Sequence, residues 1–436
     1  MNLALRNSTS GDNERPLKFG KIALYISAAF VIVICLSCDF SALFQNSDYI
    51  SCLYTGGKLF AQGRAAEIYA PLDAKNFYHA PCDIAAHQFL PHLSANHISL
   101  FNYCPLVAFL LAPLSYLPPG YSLLGWQATS LCALAIAIKL LVKDRRPDLI
   151  FCASLLFFPT AVTLWIGQTD LVFGVLIFSI GYKLLISRRP FYAGLAFAFC
   201  WLKPQMLILP ALLSLVLLFK KEWRFVFGFA AGIAFMIALN IAVGGTDLFL
   251  QWLWNAHLCE AVFTDPNSAK INLVRYLIIS LPGVLFLTLF KNSVLLLKPI
   301  IYCFDIILII FTAITCLRFS KTHSDEYSYI SFTVILGLLL MALVVPNYLY
   351  YDATTLLVAG CICSDKEFQR RVHLPSYIFA EILAVILFNA YAVLFLINKN
   401  LANPVLPLIA SILTYLLIAK SAWLKYRDVR ATNESN

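Results

Sequence analysis

A few polar residues interrupt or border strongly apolar segments, and these are the residues that could do chemistry. Asp39 and Asp48 follow the first apolar run, and Lys203 stands between Leu202 and Pro204 within a second one. A carboxylate can accept a proton and an ammonium can neutralise an anion. An ionisable group at membrane depth is costly and is by default functional. The alternative for Lys203 is that its long side chain reaches the membrane interface.

The elements that must position these residues are membrane-spanning helices. The chain has 436 residues, of which 61% are hydrophobic and 13% charged, and its mean hydropathy is +0.79. This composition excludes a soluble globule and predicts an all-α, polytopic integral membrane protein, because apolar runs of about 17–25 residues recur along the chain. We predict about twelve spans, at 21–38, 121–142, 148–166, 170–187, 190–202, 206–219, 223–243, 298–317, 327–345, 349–363, 374–397 and 405–424.

The distribution of basic residues predicts the orientation. With the amino-terminal tail (1–20) in the cytoplasm, 23 of the 32 Lys and Arg fall on the cytoplasmic side, as the positive-inside rule requires. The carboxy-terminal tail (425–436) is then cytoplasmic too. Two large loops, 39–120 and 244–297, face the other side, and the whole chain (1–436) is expected to form one transmembrane domain.

Two apolar stretches are too short for simple crossings. We expect 105–117 to be a half-embedded helix, because a full crossing there would place the following basic cluster outside. We expect 190–219 to enter and return with a turn at Lys203-Pro204-Gln205, its short arms leaving Lys203 at the bottom of a water-accessible hollow.

Several polar residues have a structural alternative. The segment 49–61 is expected to form a short interfacial helix, which Asp48 would cap. Gln168 and Asp170 could cap the next helix, and Asp352 could be an ordinary carboxylate at the end of a span. Cys52, Cys82 and Cys104 share the first loop and could pair if it is extracytoplasmic.

No metal or cofactor site is predicted. Four histidines of the first loop, His79, His87, His92 and His97, have no ligand spacing that supports a metal. The chain also has no Gly-rich phosphate loop and no soluble nucleotide-binding domain. That absence favours a lipid-linked substrate over a nucleotide sugar.

A series of outward-facing strings resembles glycosyltransferase family 87 of the GT-C superfamily, whose members use polyprenyl-phosphate sugars. The strings span about 48–355 and keep the family's order: Asp48-Tyr49-Ile50-Ser51, Tyr54, Gly57-Lys58, Gly63, Tyr69, Tyr103-Cys104-Pro105, Ala112-Pro113-Leu114, Leu117-Pro118, Gly167-Gln168, Ala193-Gly194, Lys203-Pro204-Gln205, Pro346-Asn347-Tyr348 and Tyr351-Asp352. The family usually has Tyr-Pro-Pro at Tyr103-Cys104-Pro105.

The resemblance implies an integral membrane hexosyltransferase that needs no cofactor. Its donor would be a hexose, mannose above all, on a polyprenyl-phosphate carrier, and its acceptor a lipid or glycan. Transfer would invert the anomeric carbon at the extracytoplasmic face of a bacterial cytoplasmic membrane. No nucleic acid partner is implied.

The resemblance also assigns roles to residues. Asp48 would be the general base, with Asp39 as the rival position. Lys203 would neutralise the donor phosphate, and Asp352 would orient the acceptor hydroxyl or Lys203. The other expected donor contacts are Lys58, Arg64, Gln168, Gln205, Arg275 and Tyr351.

Two rival functions remain open at this stage. A transporter or flippase would be favoured by charges within membrane segments, but the charges here cluster at the outer ends of spans, and none is expected to pair across the midplane. A lipid-linked oligosaccharide ligase would differ in its donor rather than in its architecture.

Overall fold

The structure is a computed structural model that describes residues 14–37, 47–71, 80–93, 99–142, 146–264, 276–285, 294–323, 325–372, 376–398 and 403–434. These residues are almost entirely helical. The helices are α1 (Glu14–Ser37), α2 (Thr55–Ala61), α3 (Pro81–Phe89), α4 (Pro105–Leu111), α5 (Pro119–Leu141), α6 (Pro147–Leu156), α7 (Phe158–Ile166), α8 (Ile177–Ile186), α9 (Pro190–Ala198), α10 (Ile208–Phe219), α11 (Trp223–Thr264), α12 (Leu281–Val284), α13 (Val294–Thr322), α14 (Glu326–Val344), α15 (Leu356–Cys363), α16 (Lys366–Val372), α17 (Ser376–Ile397) and α18 (Val405–Glu434).

Short helical turns of other types extend several of these helices. Two π-helical segments, Tyr49–Tyr54 and Asp170–Leu176, run directly into α2 and α8. Helices α3, α4, α5, α6 and α9 each begin at a proline. Proline suits a first helical position because its missing N–H would have had no partner there.

The described helices include four that are long and apolar enough to cross a membrane, at Pro119–Leu141, Trp223–Leu258, Lys298–Thr322 and Glu326–Val344. A fifth span results if α6 and α7, which meet at 77°, count as one. Shorter apolar helices cover 21–35, 190–202, 204–219, 350–363, 382–397 and 405–420. The chain is therefore a helical membrane protein, while the number twelve stays a prediction.

Helix α14 lies at the centre of the larger core. Every residue from Ser328 to Val344 is buried, so the helix has no face toward lipid. A second core joins the first loop to α11 and includes Tyr49, Phe101, Trp126 and Trp252. The described parts of both predicted outer loops thus contribute packed structure.

The predicted breaks occur where Pro and Gly stand. Residues 105–111 form a helix of seven residues, about 10 Å long, which is too short to cross a membrane. The 190–219 stretch breaks at Lys203, whose backbone is non-helical between two 3₁₀ turns. The second loop was expected to begin at 244, and the helix is interrupted at that point, because Gly245 has a non-helical backbone with φ of 77°. A second helical part of α11 then runs to Thr264, inside the expected loop.

Helices α9 and α11 pack with their backbones in contact. A Cβ on Gly194 would lie 2.3 Å from the Phe225 carbonyl oxygen, and one on Gly228 would lie 2.1 Å from the Phe191 carbonyl oxygen. Only glycine allows this approach, which is the usual way for membrane helices to associate closely.

The break between α6 and α7 is stabilised by one distant side chain. Asn389 accepts a hydrogen bond from the Phe158 N–H at 3.0 Å and donates one to the Leu156 carbonyl at 3.2 Å. These are the backbone groups that the break removes from the helical pattern. In a membrane such groups must find partners inside the protein.

Cysteine accessibility tests the predicted sidedness of these elements. Gln62, in the first loop, and Ser187, after α8, are both exposed. In intact cells a membrane-impermeant maleimide is expected to label Gln62→Cys, but to label Ser187→Cys only after permeabilisation. The parent protein, with its native cysteines, gives the background. Labelling of Ser187→Cys in intact cells would show that the predicted orientation is wrong.

Candidate active site

The segment that carries Asp48 is fixed to α5 and to the end of α7. Ser47 Oγ donates a hydrogen bond to the Ile166 carbonyl at 3.0 Å. The Tyr49 ring stacks on Trp126, with centroids 5.9 Å apart, and its hydroxyl lies 2.8 Å from Ser122 Oγ. The position of Asp48 is therefore determined by neighbours on both sides.

Gly167 brings the next residue, Gln168, beside Asp48. Gly167 ends α7 in the left-handed conformation, with φ of 74°. A Cβ at this position would lie 2.4 Å from the Tyr49 Cβ. The glycine of the Gly167-Gln168 motif is therefore explained, because both its left-handed backbone and its close approach to Tyr49 exclude a larger residue.

Asp48 belongs to a chain of hydrogen bonds. Gln168 Nε2 donates to Asp48 Oδ2 at 2.6 Å, and the Tyr103 hydroxyl donates to Gln168 Oε1 at 3.1 Å. Thr169 Oγ1 donates in turn to the Tyr103 hydroxyl at 3.1 Å. Asp48 makes no cap hydrogen bond to its helix, so the capping alternative is wrong for this residue. It is wrong for Gln168 as well, since its amide is used by Asp48 and Tyr103.

Lys203 lies in a buried ion cluster next to this chain. Its Nζ is 2.6 Å from Asp170 Oδ1 and 2.5 Å from Asp352 Oδ1. The exposed fractions of Lys203, Asp170 and Asp352 are 3%, 0% and 1%. The expected water-accessible hollow at Lys203 is therefore wrong. Asp170 does not cap its helix either, because its carboxylate pairs with Lys203.

The second carboxylate of the cluster has two partners. Asp352 Oδ2 accepts the Leu349 N–H at 2.7 Å and thereby caps the 3₁₀ turn Tyr350–Thr355. Its other oxygen, Oδ1, contacts Lys203. This contact is the one that Asp352 needs if its role is to orient Lys203. The neighbouring Tyr351 ring lies 5.5 Å from the Lys203 ammonium.

Tyr103 links the ion cluster to the Asp48 chain. Burial raises the pKa of the Tyr103 hydroxyl above its usual value, and the nearby positive charge of Lys203 opposes that rise. The hydroxyl thus stays protonated and acts as a donor to Gln168. Tyr103 is therefore close enough to the ion cluster to be affected by its charges, and it hydrogen-bonds the residue that contacts Asp48.

The other predicted donor contacts do not join this group in the structure. Lys58 is ten residues along a continuous helical segment from Asp48, or roughly 15 Å. Its ammonium bonds the Tyr54 hydroxyl at 3.1 Å and lies over the Phe89 ring. Arg64 forms a bidentate ion pair with Glu67, with N···O distances of 2.6 and 2.7 Å. This pairing lowers the pKa of Glu67.

The remaining predicted residues are placed as follows. Gln205 is half-buried in the 3₁₀ turn after Lys203. Asp39 and Arg275 lie outside the described residues. Among the described residues, Cys52, Cys82 and Cys104 are not joined to one another by disulfide bonds.

Asp170 is the residue whose role was missed. We expected Asp170 to cap a helix, although it begins one apolar segment and Lys203 interrupts another. Two opposite charges inside apolar segments are expected to pair, and this signal would have found the contact. Our expectation that the charges lie separately at the ends of spans overlooked it.

The role of Gly167 can be tested against a matched glycine. Gly63 has the same backbone conformation, with φ of 72°, but no atom lies within 4 Å of its Cβ position. Gly63→Ala is expected to cost about 1–2 kcal/mol of left-handed strain, and Gly167→Ala about 1–3 kcal/mol more from overpacking. Thermal unfolding in detergent measures both, and equal losses would mean that the Tyr49 contact is unimportant.

The ion cluster predicts an unusual order of stabilities. Lys203→Met leaves two buried carboxylates without a cation and is expected to cost about 3–5 kcal/mol. Adding Asp170→Asn and Asp352→Asn removes both charges, so the triple variant should unfold at a higher temperature than the single variant. A triple variant less stable than Lys203→Met would contradict the charge argument.

Comparison with known proteins identifies the family. The model of glycosyltransferase family 87 matches residues 101–346, which are 246 of the 436 residues. The matched region contains Tyr103, Gln168 and Lys203, while Asp48 and Asp352 lie beyond its two ends. No curated protein and no solved structure matches the chain significantly. Because the family match covers more than half of the chain, this protein belongs to glycosyltransferase family 87 and is a membrane glycosyltransferase.

Proposed function

We propose that this glycosyltransferase moves a hexose, most specifically mannose, from a polyprenyl-phosphate carrier to a lipid or glycan acceptor. The reaction takes place at the extracytoplasmic face of a bacterial cytoplasmic membrane. The observation that carries the choice of Asp48 as the base is its contact with Gln168, which orients a half-buried carboxylate. The donor class is proposed from the resemblance of the sequence to family 87.

The chemistry needs one proton acceptor and one leaving group. Asp48 takes the proton of the acceptor hydroxyl while its oxygen attacks the anomeric carbon. The bond from that carbon to the phosphate oxygen breaks, and the polyprenyl phosphate leaves with the bonding electrons. A single displacement of this kind inverts the anomeric centre. Such a base contributes about 10²–10⁴-fold to the rate.

Gln168 supports this role in a specific way. As a neutral donor it fixes the carboxylate without supplying a positive charge, which would make Asp48 a weaker base. Tyr103 holds the other end of the same amide. The orientation of the base therefore follows from two residues that need not touch the substrate.

Lys203 lies beneath the site and is the proposed ammonium partner of the donor phosphate. Its ammonium already has two carboxylate partners, so direct contact with the donor phosphate requires that the phosphate displace one of them. Tyr351 and Gln205 remain proposed contacts for sugar or phosphate oxygens. Lys58 is distant from Asp48, and Arg64 is paired with Glu67. We therefore propose that these two residues contact the acceptor rather than the donor phosphate.

The rival functions differ in what they consume. A lipid-linked oligosaccharide ligase belongs to the same architecture and would use a preassembled glycan donor. A transporter or flippase would move its substrate without transferring a sugar, which does not agree with the family. Purified protein incubated with labelled polyprenyl-phosphate hexose, and separately with lipid-linked oligosaccharide, distinguishes these rivals. Consumption of the first donor alone supports the proposal.

The base is tested by Asp48→Asn. The amide keeps an acceptor oxygen for Gln168 but cannot take the proton, so turnover should fall by about 10²–10⁴-fold. Donor binding should change little, because the departing phosphate is held elsewhere. Turnover and donor affinity are measured on protein purified in equal amounts.

Asp39→Asn is the matched control and is expected to retain substantial activity. The opposite result, with Asp39→Asn inactive and Asp48→Asn active, would assign the base to Asp39. Normal turnover in both variants would remove a first-loop base from the mechanism.

A further inference from the structure

Side chains of α11 hold the backbone of residues 101–104, which we call the Tyr103 segment. Asn255 Nδ2 donates a hydrogen bond to the Phe101 carbonyl at 3.1 Å, and Trp252 Nε1 donates one to the Asn102 carbonyl at 3.3 Å. The segment lies before α4 and is not helical. Backbone groups outside helices need other partners inside a membrane protein, and two of them here are supplied by α11.

The first loop holds the same segment from another direction. The Tyr69 hydroxyl donates to the Tyr103 carbonyl at 2.6 Å, and the Tyr69 ring lies 6.0 Å from the Phe101 ring. A Cβ on Gly56 would lie 2.3 Å from Phe101 Cδ2, so α2 packs directly on this ring. Three consecutive carbonyls of the Tyr103 segment thus accept hydrogen bonds from side chains of the first loop and of α11.

The kink in α11 places its two donors against the Tyr103 segment. A Cβ on Gly244 would lie 2.9 Å from the Pro105 Cβ, so the kink at Gly245 is in contact with the first residue of α4. Beyond the kink, Trp252 and Asn255 are three positions apart and share one face of the helix. Each is only 2% exposed.

The buried face that carries these two donors is otherwise apolar. Leu248 and Leu258 lie on it and are exposed by 4% and 6%. Burying an amide among such residues is costly unless the amide forms hydrogen bonds. The hydrogen bond from Asn255 to the Tyr103 segment therefore explains why an amide is present where an apolar residue would pack.

The Tyr103 segment carries a hydroxyl that orients Gln168. This hydroxyl donates to Gln168 Oε1 at 3.1 Å, and Gln168 Nε2 donates to Asp48 Oδ2 at 2.6 Å. A tyrosine ring is rigid, so its hydroxyl follows any movement of the backbone. A displacement of about 1 Å would lengthen the contact with Gln168 beyond hydrogen-bond distance.

We propose that Trp252 and Asn255 are positioning residues of this transferase. They fix the Tyr103 segment, which places the Tyr103 hydroxyl on Gln168 and thereby orients the carboxylate of Asp48. Neither residue needs to touch the substrate. The inference rests on the proposed role of Asp48 as the base, and it adds that the predicted second outer loop takes part in orienting this base.

Two substitutions remove the donors and keep most of the packing. Asn255→Leu has a similar volume, and Trp252→Phe keeps an aromatic ring beside Trp201. Together they form the α11 double variant. We expect its kcat to fall by about tenfold to a hundredfold, with KM for polyprenyl-phosphate mannose unchanged, because the base moves while the donor is held elsewhere. An unchanged kcat, or a change in KM alone, would overturn the inference.

A matched control removes equivalent donors from other parts of the chain. Trp423 Nε1 donates to Thr315 Oγ1 at 3.1 Å, and Gln369 Nε2 donates to the Cys363 carbonyl at 2.9 Å. Trp423→Phe with Gln369→Leu should lower the unfolding temperature but keep the wild-type kcat per folded molecule. A fall in kcat as large as that of the α11 double variant would show a general effect of stability and would contradict the positioning role.

Tyr103→Phe tests whether the two residues act through the Tyr103 hydroxyl. This substitution removes the hydroxyl and leaves Gln168 Oε1 without that donor. Adding the α11 double variant to Tyr103→Phe should then lower kcat no further, because residues of one network have non-additive effects. A further fall as large as in the wild-type background would mean that α11 acts by another route, and the inference would be wrong.

The unfolding temperatures of the same variants test the network without a sugar donor. The loss in the variant that combines all three substitutions should be smaller than the sum of the losses in Tyr103→Phe and the α11 double variant. Losses that simply add would overturn the inference. A wild-type protein that consumes no polyprenyl-phosphate mannose would contradict only the proposed donor, since this comparison still decides whether α11 fixes Tyr103.

Discussion

The ammonium of Lys203 holds together two carboxylates that are 33 and 149 residues away along the chain. None of the three charges is stable alone in so apolar a protein, and each is buried only because the others are present. The cluster fixes the start of the segment after Gln168 and the turn that contains Tyr351. The geometry around Asp48 therefore depends on an interaction that does not include Asp48.

Glycine and proline made the local features of the site predictable. The break at Lys203-Pro204, the short helix 105–111 and the helical segment after Asp48 all follow from residues that act within a few positions of themselves. The contact of Gly167 with Tyr49 and the pairing of Lys203 with two carboxylates are different. They join segments distant in sequence, and a single sequence does not show which segments become neighbours.

The number of spans was harder to predict for a related reason. Hydropathy measures the length of an apolar run, but it does not reveal whether that run folds as one helix. Here the run 148–166 bends by 77° at Phe157, and a second helical segment follows the kink at Gly245 where a loop was expected. Asn389 makes the first of these breaks possible, and it lies more than 200 residues from the bend.

The ion cluster also constrains how this protein is made. The chain emerges from the ribosome amino terminus first, so Asp170 and Lys203 are both available long before Asp352 has been synthesised. The first two form a neutral pair, which makes their insertion into the bilayer less costly than that of either charge alone. The late arrival of Asp352 then closes the cluster. The candidate active site is therefore completed late in biogenesis, because a chain that stops before residue 352 lacks one carboxylate of the cluster.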